Sequence, residues 1–224
     1  TLTTAKPTAS VVVKADAPTV DKKIVEGEQR VSANSASIGE SVSFEITSKV
    51  PDMKGYNKYY FILNDTLSKG LTYNGDAVIT VGTNTLVEDT DYTITTVKNS
   101  ADGSTGMVIV FKNFIQYKNQ TDAAIKVSYS ATLNQDASLD PVAGNPNEVK
   151  LTYSNNPNFD YQGEDSPGKD EPTGETPKSE TKTFTTGLKL TKVDGQDKKL
   201  TGAKFEISGE GVKAVLINKE IYLE

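Results

Sequence analysis

Short segments of alternating hydrophobic and polar residues dominate the chain. Residues 42–46 and 125–133 place a hydrophobic side chain at every second position. Successive side chains of a β-strand point to opposite faces of the sheet, so a period of two predicts strands with one buried face. Further strands are predicted at 59–63, 77–81, 92–97, 107–111 and 149–153.

Turn signals separate these predicted strands. Asn74-Gly75 and Asp102-Gly103 are dipeptides typical of tight turns. Helical periodicity is weak, and it predicts at most one turn near 56–58 or 133–139. Because many short strands with frequent turns are typical of a sandwich, we expect an all-β chain that forms an immunoglobulin-like, Greek-key β-sandwich.

Changes in composition divide the chain into three regions. Residues 1–18 mix Thr, Ala and Pro with one short Val run, which predicts a linker or an edge strand. The sandwich is expected over 19–186. Within it, 155–180 is rich in Pro, Gly, Asp and Glu and predicts a long solvated loop. Residues 187–224 are expected to begin a second, partial β-sandwich, because strand-like segments flank a turn at 194–198.

The charge and the residue types exclude several functions. The net charge is −6 and Arg30 is the only arginine, so a surface for nucleic acid or anionic lipid is not expected. The chain has no Cys and no His, which removes disulfides, Ser-His-Asp triads and the usual zinc ligands. Asp194, Gln196 and Asp197 lack the spacing of an EF-hand loop, so an ordinary turn is preferred to a calcium site. We expect no metal, no cofactor and no turnover of an external substrate.

Hydrophobic runs in the sequence are short. The longest ones, such as 107–111, have the length of a strand, and none has the length of a membrane span or a signal peptide core. We therefore expect a piece of a secreted ectodomain that makes no contact with the membrane.

Three polar residues lie on the side of their strands that is predicted to face the core. Each is in phase with hydrophobic residues of the same segment: Lys22 with Val20 and Ile24, Asp65 with Phe61 and Leu63, and Asn147 with Val149 and Leu151. An uncompensated buried charge is costly, so these residues are expected to pair, to lose their charge or to react.

An intramolecular isopeptide bond is one outcome of such burial. In an apolar site the pKa of Lys22 falls and the pKa of Asp65 rises, so a neutral amine can attack the carboxamide of Asn147 while the protonated acid polarises its carbonyl. Ordinary structural roles for the three residues remain the alternative, because Lys22 at a strand end can be exposed and both Asp65 and Asn147 can lie in turns.

Four segments resemble a known family of bacterial surface domains. PTVDKKI, SIGESVSFEITSKVPD, YYFILNDTLSKGLTYNG and GNPNEVKLTYSNNPN occur in the order and spacing of the isopeptide-forming D2-type domain of Gram-positive fimbrial subunits. The resemblance implies that Lys22 is the amine donor, Asn147 the carboxamide partner and Asp65 the catalytic acid. Lys23 and Glu45, on the opposite faces of their strands, are the fallback candidates.

A second resemblance covers the end of the chain. LKLTKVDGQDKKLTGAKFEI is similar to the opening of a collagen-adhesin B-type domain, in which the lysine before Val-Asp forms another isopeptide bond. That position is Lys192. The acid motif and the asparagine partner of that family are not recognisable before Glu224, and neither a pilin Tyr-Pro-Lys motif nor a sorting motif occurs in the sequence.

The resemblance implies a structural subunit of a covalent pilus on a Gram-positive cell wall. Its partners would be other pilin subunits, joined by a sortase, and a host matrix or cell surface. A cell-wall adhesin that binds a host matrix protein without polymerising is the alternative. A carbohydrate-binding module is less favoured, because Trp is absent and the Tyr and Phe residues mostly follow strand periodicity.

Overall fold

Two β-sheets form most of the molecule. The computed structural model describes residues 17–187, 192–200, 214–217 and 220–223. The strands of the first sheet are β1 Asp21–Glu26, β2 Gln29–Val31, β4 Ser41–Lys49, β6 Leu71–Tyr73, β7 Val78–Val81, β8 Asn84–Thr85 and β11 Ala124–Leu133. Those of the second sheet are β3 Ala33–Ser35, β5 Phe61–Leu67, β9 Tyr92–Lys98, β10 Thr105–Phe111, β12 Asn145–Ser154, β13 Thr173–Glu175 and β14 Ser179–Phe184. A separate antiparallel pair consists of β15 Ala214–Ile217 and β16 Glu220–Leu223.

The chain crosses repeatedly between the sheets. The first sheet has the order β2-β1-β4-β11-β7-β8, with β6 also on β11, and the second has the order β3-β14-β12-β5-β10-β9, with β13 also on β12. Strands distant in sequence are therefore neighbours, as β4 and β11 are. The pairs are antiparallel except β14 with β3, which is parallel. The predicted all-β sandwich is confirmed.

The hydrophobic core lies between the two sheets and follows the alternation in the sequence. Along β11, Ile125, Val127 and Tyr129 are buried, whereas Lys126 between them is exposed. Stacked and edge-on rings fill one part of the core around Phe61, where the Phe114 ring centroid lies 4.4 Å away. Burial of each such large side chain contributes about 1.5–3 kcal/mol to folding.

The only helical element in the described residues is a short 3-10 helix at Phe114–Tyr117. The helical turn predicted near 56–58 or 133–139 is wrong, since the first segment contains a bend and the second consists of the end of β11 followed by a turn and irregular structure. A 3-10 helix has three residues per turn, so Phe114 and Tyr117 share one face, and both are buried. A helix of four residues is too short for hydrophobic periodicity to indicate it. Packing of its two buried rings explains why it forms.

The acidic segment 155–180 is more structured than the predicted solvated loop. Tyr161 is fully buried, and its ring meets that of Tyr60 edge-on at 5.4 Å between centroids. The carboxylate of Glu171 accepts hydrogen bonds from the Tyr60 hydroxyl at 2.5 Å and from the backbone N–H groups of Gln162, Gly163 and Gly168 at 2.6–3.1 Å. Most residues of the segment are exposed or partly exposed, as in a solvated loop, but one carboxylate organises its backbone.

Glu171→Gln is expected to loosen this segment. Desolvation raises the pKa of Glu171, but hydrogen bonds from Tyr60 and the loop N–H groups outweigh it and lower the pKa to about 2. Because the folded pKa is depressed, the stabilisation is present above the ordinary pKa near 4.5 and is lost as the pH falls towards 2. At neutral pH, chymotrypsin should cut the variant after Phe159 or Tyr161 about tenfold faster, as expected from the loss of one charge-assisted hydrogen bond.

Glu164→Gln is the matched control for this prediction. Glu164 is an exposed acid of the same segment. Cleavage of the Glu164 variant should stay at the wild-type rate, and equal cleavage of the Glu171 variant would show that its carboxylate does not hold the segment.

Candidate functional site

A buried lysine lies between the two sheets. Lys22 in β1 is 0% exposed and points to the same side as Ile24, while Lys23 between them is partly exposed. The register places Lys22 opposite Ile46 of β4. The alternation of β1 therefore carries the amine into the core, as its phase in the sequence predicts.

The acid and the carboxamide come from the opposite sheet. Asp65 in β5 is 2% exposed and Asn147 in β12 is 0% exposed. These strands pair antiparallel with Asn147 opposite Leu67 and Val149 opposite Asp65, so the two polar residues are diagonal neighbours on one face. Lys22 reaches them from the first sheet, and the cluster bridges the sandwich.

Lys22, Asp65, Asn147 and Tyr129 form one buried hydrogen-bonded cluster. The Lys22 Nζ lies 2.5 Å from Oδ2 of Asp65, 2.5 Å from Oδ1 of Asn147 and 2.7 Å from the Tyr129 hydroxyl. The Tyr129 hydroxyl in turn donates to Oδ2 of Asp65 at 2.9 Å and accepts from Nδ2 of Asn147 at 2.8 Å. The amine thus directs its three donor positions at three oxygens.

Burial works against the charged forms of the lysine and the acid. Desolvation lowers the pKa of Lys22 to about 8, although attraction to Asp65 opposes the shift. Desolvation likewise raises the pKa of Asp65, with Lys22 acting in the opposite direction. Both shifts favour transfer of a proton from the amine to the acid, which produces a neutral nucleophile beside a carboxamide.

Aromatic rings line this site and keep it apolar. The Nζ of Lys22 lies 5.2 Å from the ring centroid of Tyr129 and 5.5 Å from that of Phe44, and these two rings are stacked at 5.4 Å. Ring faces can hold an ammonium, but they offer no further hydrogen bond to stabilise it. The aromatic lining therefore explains why desolvation dominates the pKa of the amine.

The structure separates the fallback candidates from this cluster. Lys23 pairs with Asp21 at 3.3 Å, and the side chain of Glu45 pairs with Arg30 at 2.8 Å and Lys126 at 2.9 Å. Lys23 and Glu45 thus have their own partners, away from the buried amine. The sequence-predicted trio is brought together, and the two fallback residues are not.

One expected contact differs from the observed one. A hydrogen bond from the acid to the carbonyl oxygen of Asn147 is expected from the sequence, yet in the described part of the chain Asp65 and Asn147 share no direct hydrogen bond and meet through the amine of Lys22. Asp65 is thus positioned first to take a proton from the amine. Tyr129 was predicted only as a core residue of its strand, because its alternation with polar neighbours carries no sign of what its hydroxyl contacts.

Lys192 lies apart from this chemistry. It is exposed, and its backbone carbonyl accepts a hydrogen bond from the N–H of Leu200 at 2.9 Å. Asp194 closes the neighbouring turn by accepting from the N–H groups of Gln196 and Lys198. The segment is an ordinary turn, as predicted.

Groups suited to metal binding or membrane crossing are not found in the described residues. Among them, no three acidic side chains come together as a metal site would require. Nor does any helix in those ranges combine the length and the apolar character that crossing a bilayer takes. Both findings apply to the described ranges only.

Comparison with known proteins finds relatives among streptococcal surface proteins. The chain is 27% identical over 220 residues to the trypsin-resistant surface T6 protein of Streptococcus pyogenes serotype M6, which covers 94% of this chain and 41% of that protein. The chain thus spans about two fifths of that relative.

Solved structures of major pilins share the fold. The 35 kDa C-terminal fragment of the major pilin GBS80 of Streptococcus agalactiae matches with a TM-score of 0.57 at 22% identity, over 83% of this chain and 62% of that one. BcpA, the major pilin subunit of Bacillus cereus, matches with a TM-score of 0.57 at 19% identity, over 100% of this chain and 58% of that one.

A family model identifies the chain more directly. The Gram-positive pilin backbone subunit 2, Cna-B-like domain, matches residues 38–157, which is more than half of the sequence. Proteins of this family are structural subunits that polymerise with other pilins on the surface of Gram-positive bacteria. The matched region includes Asp65 in β5 and Asn147 in β12. Because the family model covers more than half of the sequence, the chain belongs to the Gram-positive pilin backbone family.

Proposed function

We propose that this chain is part of the shaft of a covalent pilus, and that Lys22 and Asn147 join in an intramolecular isopeptide bond promoted by Asp65. The observation that carries the proposal is the contact of one buried amine with both Asp65 and Asn147 at 2.5 Å. A stable ion pair would not need a carboxamide aimed at the same amine. The streptococcal relative is named for its resistance to trypsin, a property that such a bond would give.

The reaction balances without a cofactor. A proton moves from Nζ of Lys22 to Oδ2 of Asp65, and the neutral amine attacks Cγ of Asn147. One proton then passes from Nζ to Nδ2, the C–N bond to Nδ2 breaks, ammonia leaves, and an amide joins Nζ to Cγ. The buried ammonium disappears, so the desolvation penalty that opposed it disappears as well.

The chemistry occurs once in each chain. Asp65 promotes a reaction whose substrates belong to the same molecule, and Lys22 is consumed in it, so no turnover of an external substrate follows. The cross-linked module would comprise 19–186, and 187–224 would begin a second module with Lys192 as its isopeptide lysine. Attachment to the cell wall and to neighbouring subunits would be made by a sortase, with host contacts made by the assembled fibre.

Intact mass of the denatured protein tests the proposal. Each bond eliminates one ammonia, so the wild-type chain should weigh about 17 Da less than its sequence mass. A digest should contain one branched peptide that includes both Lys22 and Asn147. A wild-type mass equal to the sequence mass would refute the bond.

A pair of adjacent lysines supplies a matched control. Lys22→Met removes the buried amine but keeps a side chain of similar length, and it should restore the full sequence mass. Lys23→Met changes a partly exposed neighbour that pairs with Asp21, and it should leave the deficit intact. If only the Lys23 variant lost the mass deficit, the bond would be assigned to Lys23 instead of Lys22.

A further inference from the structure

The hydroxyl of Tyr129 lies between the attacking nitrogen and the leaving nitrogen of the proposed bond. It is 2.7 Å from Nζ of Lys22 and 2.8 Å from Nδ2 of Asn147. It is also 2.9 Å from Oδ2 of Asp65. A hydroxyl has one proton to donate and two lone pairs to accept with, so these three contacts use its full capacity.

Formation of the bond requires two proton transfers. Asp65 contacts Nζ of Lys22 but forms no hydrogen bond with Nδ2 of Asn147 in the described structure. The first movement takes a proton from the ammonium of Lys22, which Oδ2 of Asp65 accepts at 2.5 Å. The second movement takes a proton from Nζ after attack and delivers one to Nδ2, because the nitrogen of Asn147 can leave only as ammonia. In the described structure the hydrogen bond of Nδ2 goes to Tyr129.

We propose that Tyr129 is a catalytic residue that relays this second proton from Nζ of Lys22 to Nδ2 of Asn147. The inference rests on the proposed function. After the amine attacks, Nζ carries a positive charge and Nδ2 of the tetrahedral intermediate becomes basic. The phenol gives its proton to Nδ2 and receives one from Nζ, the bond from Cγ to Nδ2 breaks, ammonia leaves, and the phenol is regenerated.

The surroundings of Tyr129 suit this role. Desolvation raises the pKa of its phenol well above the ordinary value, so the hydroxyl keeps its proton at neutral pH and has one to give. Once Asp65 is protonated, its Oδ2–H can donate to the Tyr129 oxygen, which frees the phenol proton to turn towards Nδ2. The ring is fixed by stacking on Phe44 at 5.4 Å and by an edge contact with Tyr73 at 5.7 Å.

Tyr129→Phe tests the relay, because it removes the oxygen and keeps the ring. The whole chain is made by cell-free translation, samples are quenched in denaturant at timed intervals, and the loss of about 17 Da is followed by intact mass. Loss of general acid-base catalysis predicts a cross-linking rate at least about 100-fold lower than in the wild type. The control is Tyr73→Phe, which removes a nearby hydroxyl bonded to the N–H of Ala77, and it should react at the wild-type rate.

The outcomes separate the relay from the bond itself. A wild-type chain without the mass deficit would refute the isopeptide bond and the relay together. A wild-type deficit with equally fast reaction of Tyr129→Phe would refute the relay and leave the bond standing. Unchanged circular dichroism and melting of Tyr129→Phe in the Lys22→Met background would show that the slow reaction is not a folding defect.

A second measurement decides the case in which the phenylalanine variant does not fold. Incorporation of 3,5-difluorotyrosine at position 129 keeps both the ring and the hydroxyl but makes the phenol more acidic. A rate that changes several-fold with phenol acidity supports proton transfer through Tyr129, and a rate identical to the wild type overturns it.

Discussion

Asp65→Ala should leave Lys22 and Asn147 unjoined and lower the melting temperature by at least about 10–20 °C. The bond would connect residues 125 positions apart. By analogy with a disulfide, closing a loop of that length restricts the unfolded chain by about 5 kcal/mol. For a domain of this size, 1 kcal/mol corresponds to about 2–4 °C in melting temperature. Differential scanning calorimetry together with intact mass measures both effects on one sample.

Part of this loss would come from the buried amine rather than from the missing bond. Removal of Asp65 leaves Lys22 without its counter-charge in an apolar site, and breaking a buried pair from one side costs about 3–5 kcal/mol. Lys22→Met combined with Asp65→Ala removes the bond together with both members of the buried pair, so the melting temperature of this double variant isolates the contribution of the cross-link. An Asp65→Ala chain that still shows the full mass deficit would mean that another group promotes the reaction.

Pulling the chain from its two ends should reveal a large difference in contour length between the wild type and a variant without the cross-link. In the cross-linked chain the force passes from Lys22 directly to Asn147, and the residues between them are bypassed. An extended chain spans about 3.4 Å per residue, so the 125 positions represent about 430 Å of hidden length. Single-molecule force spectroscopy should therefore give Lys22→Met a contour length about 430 Å greater than that of the wild type.

Two further variants make the pulling experiment specific. Asn147→Ala removes the carboxamide and should gain the same length as Lys22→Met, because either loss opens the same loop. Lys23→Met should keep the wild-type length. If the wild type already extends through all of its residues, no covalent bridge lies between β1 and β12.

The inward position of Lys22, Asp65 and Asn147 was predictable because alternation in a strand has a strict period of two. Lys22, Asp65 and Asn147 each follow the phase of hydrophobic neighbours, and each is buried as that phase predicts. The same rule placed Lys23 and Glu45 on the opposite faces. What the phase cannot show is distance, since the approach of Lys22 to Asn147 depends on the pairing of β5 with β12 and on the packing of the two sheets.

Other features depend on contacts that leave no pattern in the sequence. Tyr129 follows the alternation of a hydrophobic residue, and the contacts of its hydroxyl exist only once three other strands surround it. Glu171 lies in a segment whose composition is typical of a solvated loop, and its role comes from N–H groups that a turn directs towards it. The placement of both polar groups is a tertiary effect, so composition and periodicity do not indicate it.

The groups of the proposed reaction come from four strands that belong to both sheets, and Lys22 and Asn147 are 125 positions apart along the chain. Lys22 is on β1, Asp65 on β5, Tyr129 on β11 and Asn147 on β12. A chain emerging N-terminus first holds the amine and the acid long before the carboxamide, so no bond can close until β12 has docked. The amide would therefore form only in chains that have folded to the correct topology. Misfolded chains would lack the cross-link and would remain sensitive to proteases. Proteolysis would then remove them, so that only correctly folded subunits enter assembly.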